Sequence, residues 1–221
     1  MKTLVAVPCM EMLKTKFVDC LLKLPQDEYQ VEFGVASLIY DTRNQFIDKA
    51  IGGGYERMFW IDSDMVFDAA TMAYLNQDLD KGYDFVAGLA FKRRKPFTPV
   101  IFSELDIIKN PNNSLTPIAK TFKDYPKDCL FEVCGFGFGF VGMNVAGLQR
   151  VVDKYGKRLF SPYTCFGEDL SFCVRAKSAG EKLYCDSRAE VGHVGEYIYD
   201  SEMYERTRDD RKGEACVKDN D

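Results

Sequence analysis

The sequence predicts an α/β domain in which helices flank a mostly parallel central sheet. Strand-like and helix-like segments alternate through the first half of the 221-residue chain. The strand-like segments are short and largely apolar, as is typical of parallel strands buried on both faces. Because 46% of the residues are hydrophobic, the chain can form a substantial core. We therefore expect one domain over residues 1–195, followed by a charged helix or tail over residues 196–221.

Short apolar runs identify the strands. Those predicted for the central sheet are residues 4–8, 31–35, 58–61, 85–90 and 183–185. Residues 100–102 and 118–122 also have strand character, and the segment at 110–114 between them, Asn-Pro-Asn-Asn-Ser, has the chemistry of a turn. A further apolar, glycine-rich segment covers residues 131–143.

Apolar residues at helical spacing, together with capping residues, identify the helices. The predicted helices are residues 17–24, a helix that begins at Asp41 or Thr42 and ends at Ile51, one from Asp68 to about Gly82, and residues 145–155 and 169–179. Glycine follows most of these segments directly, and Pro25 closes the first.

Composition and cysteine usage exclude several classes of protein. The net charge of −5 offers no basic surface for nucleic acid. No apolar run approaches the roughly 20 residues that a membrane-spanning helix needs. The eight cysteines form no Cys-x-x-Cys pair and the chain has one histidine, so a structural zinc site is not expected. Most cysteines lie in apolar runs, which favours buried thiols in a reducing compartment and a cytoplasmic location.

Asp62, Ser63 and Asp64 directly follow the apolar run at residues 58–61. Two neighbouring carboxylates repel each other and are costly to bury, so a strand ending in this way favours a cation at the edge of the sheet. Oxygen ligands suit Mg²⁺ or Mn²⁺, and such ions bind phosphate oxygens in turn. A polar turn without any metal is equally compatible with this triplet alone.

Several separated motifs together carry a family resemblance. They are a first strand ending at Pro8, Thr42-Arg43-Asn44 in the second helix, Asp62-Ser63-Asp64, Gly167-Glu168-Asp169 at the start of a helix, and the late His193. In this order they resemble the GT-A glycosyltransferases, particularly small family-2-like members. The resemblance covers roughly residues 4–195 and implies the GT-A (nucleotide-diphospho-sugar transferase) fold.

The resemblance also implies a role for each motif. The residues expected to contact a UDP- or GDP-sugar donor are Pro8, Arg43, Asn44, Asp62, Ser63 and Asp64. Asp62, Asp64 and His193 would hold Mn²⁺ or Mg²⁺, and an imidazole beside carboxylates favours manganese. Asp169 would be the general base that deprotonates an acceptor hydroxyl on a glycan, lipid or protein, with Glu168 as its partner.

Each of these residue assignments has a simpler alternative. Arg43 also fits a surface ion pair, and Asp169 also fits an acid that stabilises a helix N-terminus. The alternating glycines and phenylalanines of residues 135–142 could admit a sugar to the glycine face or could allow close packing there. The basic run at residues 92–95 could reach a diphosphate, but we expect it to be solvated.

Other functions fit parts of the pattern. In haloacid-dehalogenase-like phosphatases the first acid of such a triplet, here Asp62, is the nucleophile, but that motif normally lies on the first strand. Nucleotidyltransferases usually carry a glycine-rich loop after strand one, where this chain has Cys9 and Met10. A non-catalytic nucleotide-sugar-binding module remains open. The Gln-x-x-Arg-Trp motif of processive synthases is missing, so we expect transfer of a single sugar.

Overall fold

The computed structural model describes residues 1–25, 27–35, 38–93, 95–163 and 165–195. They form an α/β fold in which helices flank a mixed seven-stranded sheet, and this confirms the predicted class. The charged helix or tail predicted for residues 196–221 lies outside the described residues.

The elements follow one another in an order close to the predicted one. The strands are β1 (Thr3–Cys9), β2 (Tyr29–Val35), β3 (Arg57–Ile61), β4 (Met65–Val66), β5 (Phe85–Leu89), β6 (Ile101–Lys109), β7 (Leu115–Thr121), β8 (Leu130–Val133), β9 (Gly135–Phe136), β10 (Phe140–Asn144), β11 (Leu183–Glu190) and β12 (Gly192–His193). The helices are α1 (Thr15–Leu22), α2 (Ile39–Gly52), α3 (Ala69–Asp80), α4 (Val145–Tyr155) and α5 (Glu168–Ser178).

The direction of the strands determines where a ligand can bind. The central sheet has the order β2-β1-β3-β10-β5-β11-β8. Strand β10 is antiparallel to both of its neighbours and β8 is antiparallel to β11, whereas β2, β1, β3, β5 and β11 all run the same way. The carboxyl ends of these five strands therefore meet at one edge, where open α/β sheets bind their ligands.

The core has two layers, one on each face of the sheet. Successive residues of β3 alternate between them: Met58 and Trp60 face one layer, and Phe59 and Ile61 face the other. All four are fully buried, and burying one such side chain contributes about 1.5–3 kcal/mol. This burial fixes the register of β3, so the polar triplet after Ile61 must emerge at the edge of the sheet.

The starts of two helices test the capping predictions. Asp68 caps α3 as predicted, because its side chain accepts a hydrogen bond from the Thr71 backbone N–H at 2.8 Å. The prediction for α2 was wrong, since this helix begins at Ile39 and neither Asp41 nor Thr42 is its cap. The side chain of its N-cap residue, Leu38, makes no capping hydrogen bond, so the sequence carried no recognisable start signal there.

The glycine-rich segment predicted at residues 131–143 contributes to three strands, β8, β9 and β10, and a turn joins β9 to β10. Phe136, Phe138 and Phe140 are all buried. A Cβ built on Gly139 would lie 2.4 Å from the Met65 Cε atom, and one on Gly142 would lie 2.7 Å from the Phe59 ring. These glycines therefore allow close packing against neighbouring side chains rather than the approach of a sugar.

The remaining predictions concern the second sheet, the cysteines and the membrane. Strands β6 and β7 form a hairpin around the turn at residues 110–114, and both are longer than predicted. Among the described cysteines, Cys20, Cys173 and Cys185 are buried and Cys165 is exposed, so burial is less general than expected. None of the helices described is both long and apolar enough to cross a bilayer.

Candidate functional site

A cleft of about 250 Å³ opens at the carboxyl edge of the parallel strands. Its lining consists of Pro8, Cys9, Met10, Ile39, Thr42, Asp62, Ser63, Asp64 and Arg93. Strand β1 delivers the first of these residues, β3 delivers the acidic triplet, and Arg93 follows the end of β5. The structure thus brings together four of the predicted donor-binding residues, one at the end of β1 and three after β3.

A short pair of strands places His193 beside Asp64. Strand β12 is antiparallel to β4, with His193 opposite Met65. The Val194 backbone N–H then donates a hydrogen bond to the Asp64 carbonyl oxygen at 2.8 Å. As a result, the His193 Nε2 atom lies 3.4 Å from Asp64 Oδ2.

The hydrogen bonds of His193 define which of its nitrogens faces the acid. Nδ1 lies 2.9 Å from the Phe91 carbonyl oxygen, which can only accept, so Nδ1 carries a proton. Nε2 is therefore the nitrogen directed at Asp64. Burial lowers the pKa of His193, but the contacts with Asp64 and Phe91 outweigh it, and the pKa is raised. Burial raises the pKa of Asp64, but His193 and Arg93 lower it more, so the carboxylate is held ionised.

Two side chains of this site are placed to bind a divalent cation. Asp64 and His193 face each other across 3.4 Å. Asp62, the third predicted metal ligand, is instead paired with Arg43, from which its Oδ1 accepts a hydrogen bond at 3.0 Å. Within the described ranges, no three or more His, Cys, Asp or Glu residues gather into a metal-binding group. The residues present fit an ion that takes its other ligands from phosphate and water, as Mg²⁺ commonly does.

Arg43 is neither a surface residue nor a residue of the cleft lining. Its side chain is 1% exposed, and its Nη2 atom lies 3.0 Å from Asp62 Oδ1 and 3.8 Å from Asp169 Oδ1. Nη1 donates to the Phe138 carbonyl oxygen at 3.4 Å. The guanidinium carbon lies between 5.4 and 5.6 Å from the ring centres of Trp60, Phe138 and Phe160. Arg43 is thus a buried bridge between two acids.

The start of α2 explains this burial and also that of Asn44. Because the helix begins at Ile39, Arg43 and Asn44 lie in its second turn rather than in an exposed first turn. The Asn44 Oδ1 accepts from the Phe160 backbone N–H at 2.9 Å, and its Nδ2 lies 3.4 Å from Ser161 Oγ. Asn44 therefore holds the segment after α4 in place, and the predicted contacts of Arg43 and Asn44 with a donor have no support in this geometry.

Asp169 lies in the first turn of α5, as predicted, with Glu168 beside it. Its Oδ2 accepts from the Phe138 backbone N–H at 3.1 Å, outside its own helix. Its Oδ1 is buried and makes no hydrogen bond with the described residues. Burial raises the pKa of Asp169 to about 7, with Arg43 opposing and Glu168 and Asp62 adding to the rise. A carboxylate of this pKa can take up a proton near neutral pH.

Arg93 is a residue of the cleft whose ion pair was not predicted from the sequence. It belongs to the basic run at residues 92–95, which we expected to be solvated. Its Nη1 atom instead lies 2.7 Å from Asp64 Oδ2, although half of the side chain remains exposed. One signal could have found it: Arg93 follows a strand parallel to β3, so both must end at the same edge of the sheet.

Comparison with known proteins gives the fold only. No protein-family profile and no curated protein sequence matches the chain. Among solved structures, the chain is similar to A197 from STIV, with a TM-score of 0.59 and 16% sequence identity. The match covers 90% of this chain and 97% of that one. At such low identity the likeness shows a shared fold.

Proposed function

We propose that the protein is a metal-dependent glycosyltransferase of the GT-A type that moves one sugar from a nucleotide-diphosphate sugar to an acceptor hydroxyl. The observation that carries the proposal is the linked arrangement of two acidic centres at one edge of the sheet. Asp64, which lines the cleft, faces His193, and Asp169 is tied to the acidic triplet through Arg43. A donor site and a proton acceptor are the two parts that such a transfer requires.

The cleft residues would bind and orient the donor. Asp64 and His193 would hold Mn²⁺ or Mg²⁺, which supplies neutralisation of the charge that develops on the departing nucleoside diphosphate. Pro8 and Ser63 would contact the nucleotide, and Asp62, held by Arg43, keeps the triplet in place. The acceptor class is open between glycan, lipid and protein. A cytoplasmic location is part of the proposal, and the free thiols of the described cysteines support it.

Asp169 would act on the acceptor. A general base takes the proton of the attacking hydroxyl as the new glycosidic bond forms, and it works best when its pKa is close to the operating pH. Burial beside Glu168 and Asp62 raises the pKa of Asp169 to about 7, which satisfies this condition. Arg43 pairs with the ionised carboxylate before the transfer, and the charge of Asp169 is neutralised when it takes up the proton.

Metal-dependent binding of a nucleoside diphosphate is the first test. Isothermal titration calorimetry with UDP and with GDP should show clearly tighter binding with Mn²⁺ than with a chelator, because Asp64 and the diphosphate repel each other without a cation between them. The Asp64→Asn variant should lose most of this metal effect. Measurable binding of equal affinity in both conditions would rule out a bridging metal.

Replacement of His193 tests the second metal ligand. His193→Ala should weaken Mn²⁺-dependent UDP or GDP binding by about 1–3 kcal/mol, the size typical of a lost hydrogen bond to a charged group. Thermal melting of the same variant serves as the control, because β4 and β12 pair through their backbones and should persist. An early melting transition with normal Mn²⁺ and nucleotide binding would mean that His193 is structural.

A further inference from the structure

We infer that Arg93 is an anion-binding residue of the cleft that releases Asp64 when a cation binds and transfers to the diphosphate of the donor. This inference rests on the proposed function and adds to it a residue that contacts the substrate. It begins from one oxygen atom, Asp64 Oδ2, which is 2.7 Å from Arg93 Nη1 and 3.4 Å from His193 Nε2.

A cation and the guanidinium of Arg93 cannot both contact Asp64 Oδ2 without repelling each other. A divalent cation held by Asp64 and His193 would lie against the guanidinium of Arg93, and like charges at such short range repel strongly. Binding of the cation therefore favours separation of Arg93 from Asp64. The ion pair itself is weak enough to break, because half of the Arg93 side chain is exposed to water.

The two arginines of the site differ in their freedom to move. Arg43 is 1% exposed, is surrounded by aromatic rings and bonds to both Asp62 and the Phe138 carbonyl, so it cannot leave its acids. Arg93 lies in the cleft lining on an exposed segment after β5. Of these two arginines, only Arg93 can move to contact a bound ligand.

A diphosphate is the partner that suits the released side chain. A guanidinium presents parallel N–H groups that match two phosphate oxygens, and this geometry makes arginine an effective phosphate ligand. The charges of the cleft also favour a diphosphate as the ligand. Within the cleft lining, Asp64 is already paired with Arg93, so an added divalent cation brings positive charge that a diphosphate then neutralises.

The test uses the full chain and two simple probes, Mn²⁺ alone and inorganic pyrophosphate in the presence of saturating Mn²⁺. Removing Arg93 should change the two affinities in opposite directions. Arg93→Ala should bind Mn²⁺ up to about fivefold more tightly, because a competing ion pair of up to about 1 kcal/mol is lost. It should bind pyrophosphate about tenfold or more weakly, because a charge-assisted contact is lost. Arg93→Lys should fall between Arg93→Ala and the wild type.

Lys92→Ala is the matched control, because it removes the same charge from an exposed neighbouring residue of the run. It should leave both affinities within about twofold of the wild type, an effect no larger than a screened surface charge produces. If Arg93→Ala and Lys92→Ala bind pyrophosphate equally, Arg93 is only a surface ion pair and the inference is wrong. If that happens while the wild type still binds UDP or GDP with Mn²⁺, the proposed function stands; a wild type that binds neither Mn²⁺ nor any diphosphate overturns both.

Discussion

Asp169→Asn is expected to lower the rate of sugar transfer by about 10²–10⁴-fold, the usual contribution of a general base. Donor affinity should not change, because the carboxylate of Asp169 is not part of the cleft lining. An asparagine oxygen can still accept the hydrogen bond from Phe138, so the segment between β9 and β10 should keep its shape. The measurements are kcat with saturating donor and acceptor, and the Kd of the nucleotide with Mn²⁺.

The pH dependence of sugar transfer is a second test of Asp169 as the general base. A base acts only when deprotonated, so kcat of the wild type should rise with pH and level off above about 7, the raised pKa of Asp169. The folded state holds this proton more tightly than the unfolded state, where the pKa of an aspartate is about 3.9. The contribution of Asp169 to stability should therefore fall as the pH rises from about 4 to about 7. The Asn variant should lack this dependence.

Asp153→Asn is the control for that experiment, since Asp153 is an exposed acid on α4 that accepts a hydrogen bond from Gln149 of the same helix. It should transfer sugar at the rate of the wild type. An Asp169→Asn variant with undiminished transfer would leave the residue as an acid that stabilises the start of α5, or would indicate a retaining reaction that needs no such base.

Arg43→Met should lower the free energy of unfolding by an amount near the lower end of about 3–5 kcal/mol, the cost of removing one partner from a buried ion pair. Methionine fills the space among the aromatic rings but leaves Asp62 and Asp169 without a cation. We expect the lower end because both carboxylates keep some contact with water, at 26% and 31% side-chain exposure. Denaturant unfolding followed by circular dichroism measures the change.

Arg150→Met provides the matched comparison. Arg150 also pairs with two acids, Asp84 and Glu181, but its side chain is 51% exposed. Exposed pairs contribute about 0–1 kcal/mol, so this variant should lose far less stability. The loss of unfolding free energy in Arg43→Met should also shrink between pH 8 and pH 5, because protonation of Asp169, whose pKa is raised to about 7, removes an unpaired charge. Equal losses of unfolding free energy in the two variants would show that the buried bridge of Arg43 stabilises the fold no more than an exposed ion pair does.

The acidic triplet and His193 are the part of the site that the sequence predicted best. The burial of residues 58–61 fixes both the end of β3 and the emergence of Asp62 and Asp64, and both follow from local sequence. The cap that Asp68 provides for α3 is local as well, and it was predicted. His193 was found only through the order of motifs, and its position beside Asp64 depends on the pairing of β12 with β4.

The errors concern features that depend on distant parts of the chain. The start of α2 has an apolar N-cap, and a shift of a few residues decided whether Arg43 was exposed or buried. The reversed direction of β10 depends on its pairing with β3 and β5, which no short segment encodes. The ion pair of Arg93 was missed because its partner, Asp64, lies 29 residues away in the chain, just after β3, and β10 separates β3 from β5.

The most direct test of the proposed function is release of nucleoside diphosphate from a panel of UDP- and GDP-sugars, measured with Mn²⁺ and with a chelator. If the proposed function is right, the wild type consumes at least one donor with Mn²⁺ only, and Asp64→Asn consumes none. Release from no donor in the panel, even when acceptor glycans are added, would contradict it. So would release of inorganic phosphate together with a trapped aspartyl-phosphate on Asp62, because a glycosyltransferase forms no such intermediate and a phosphatase with an aspartate nucleophile does.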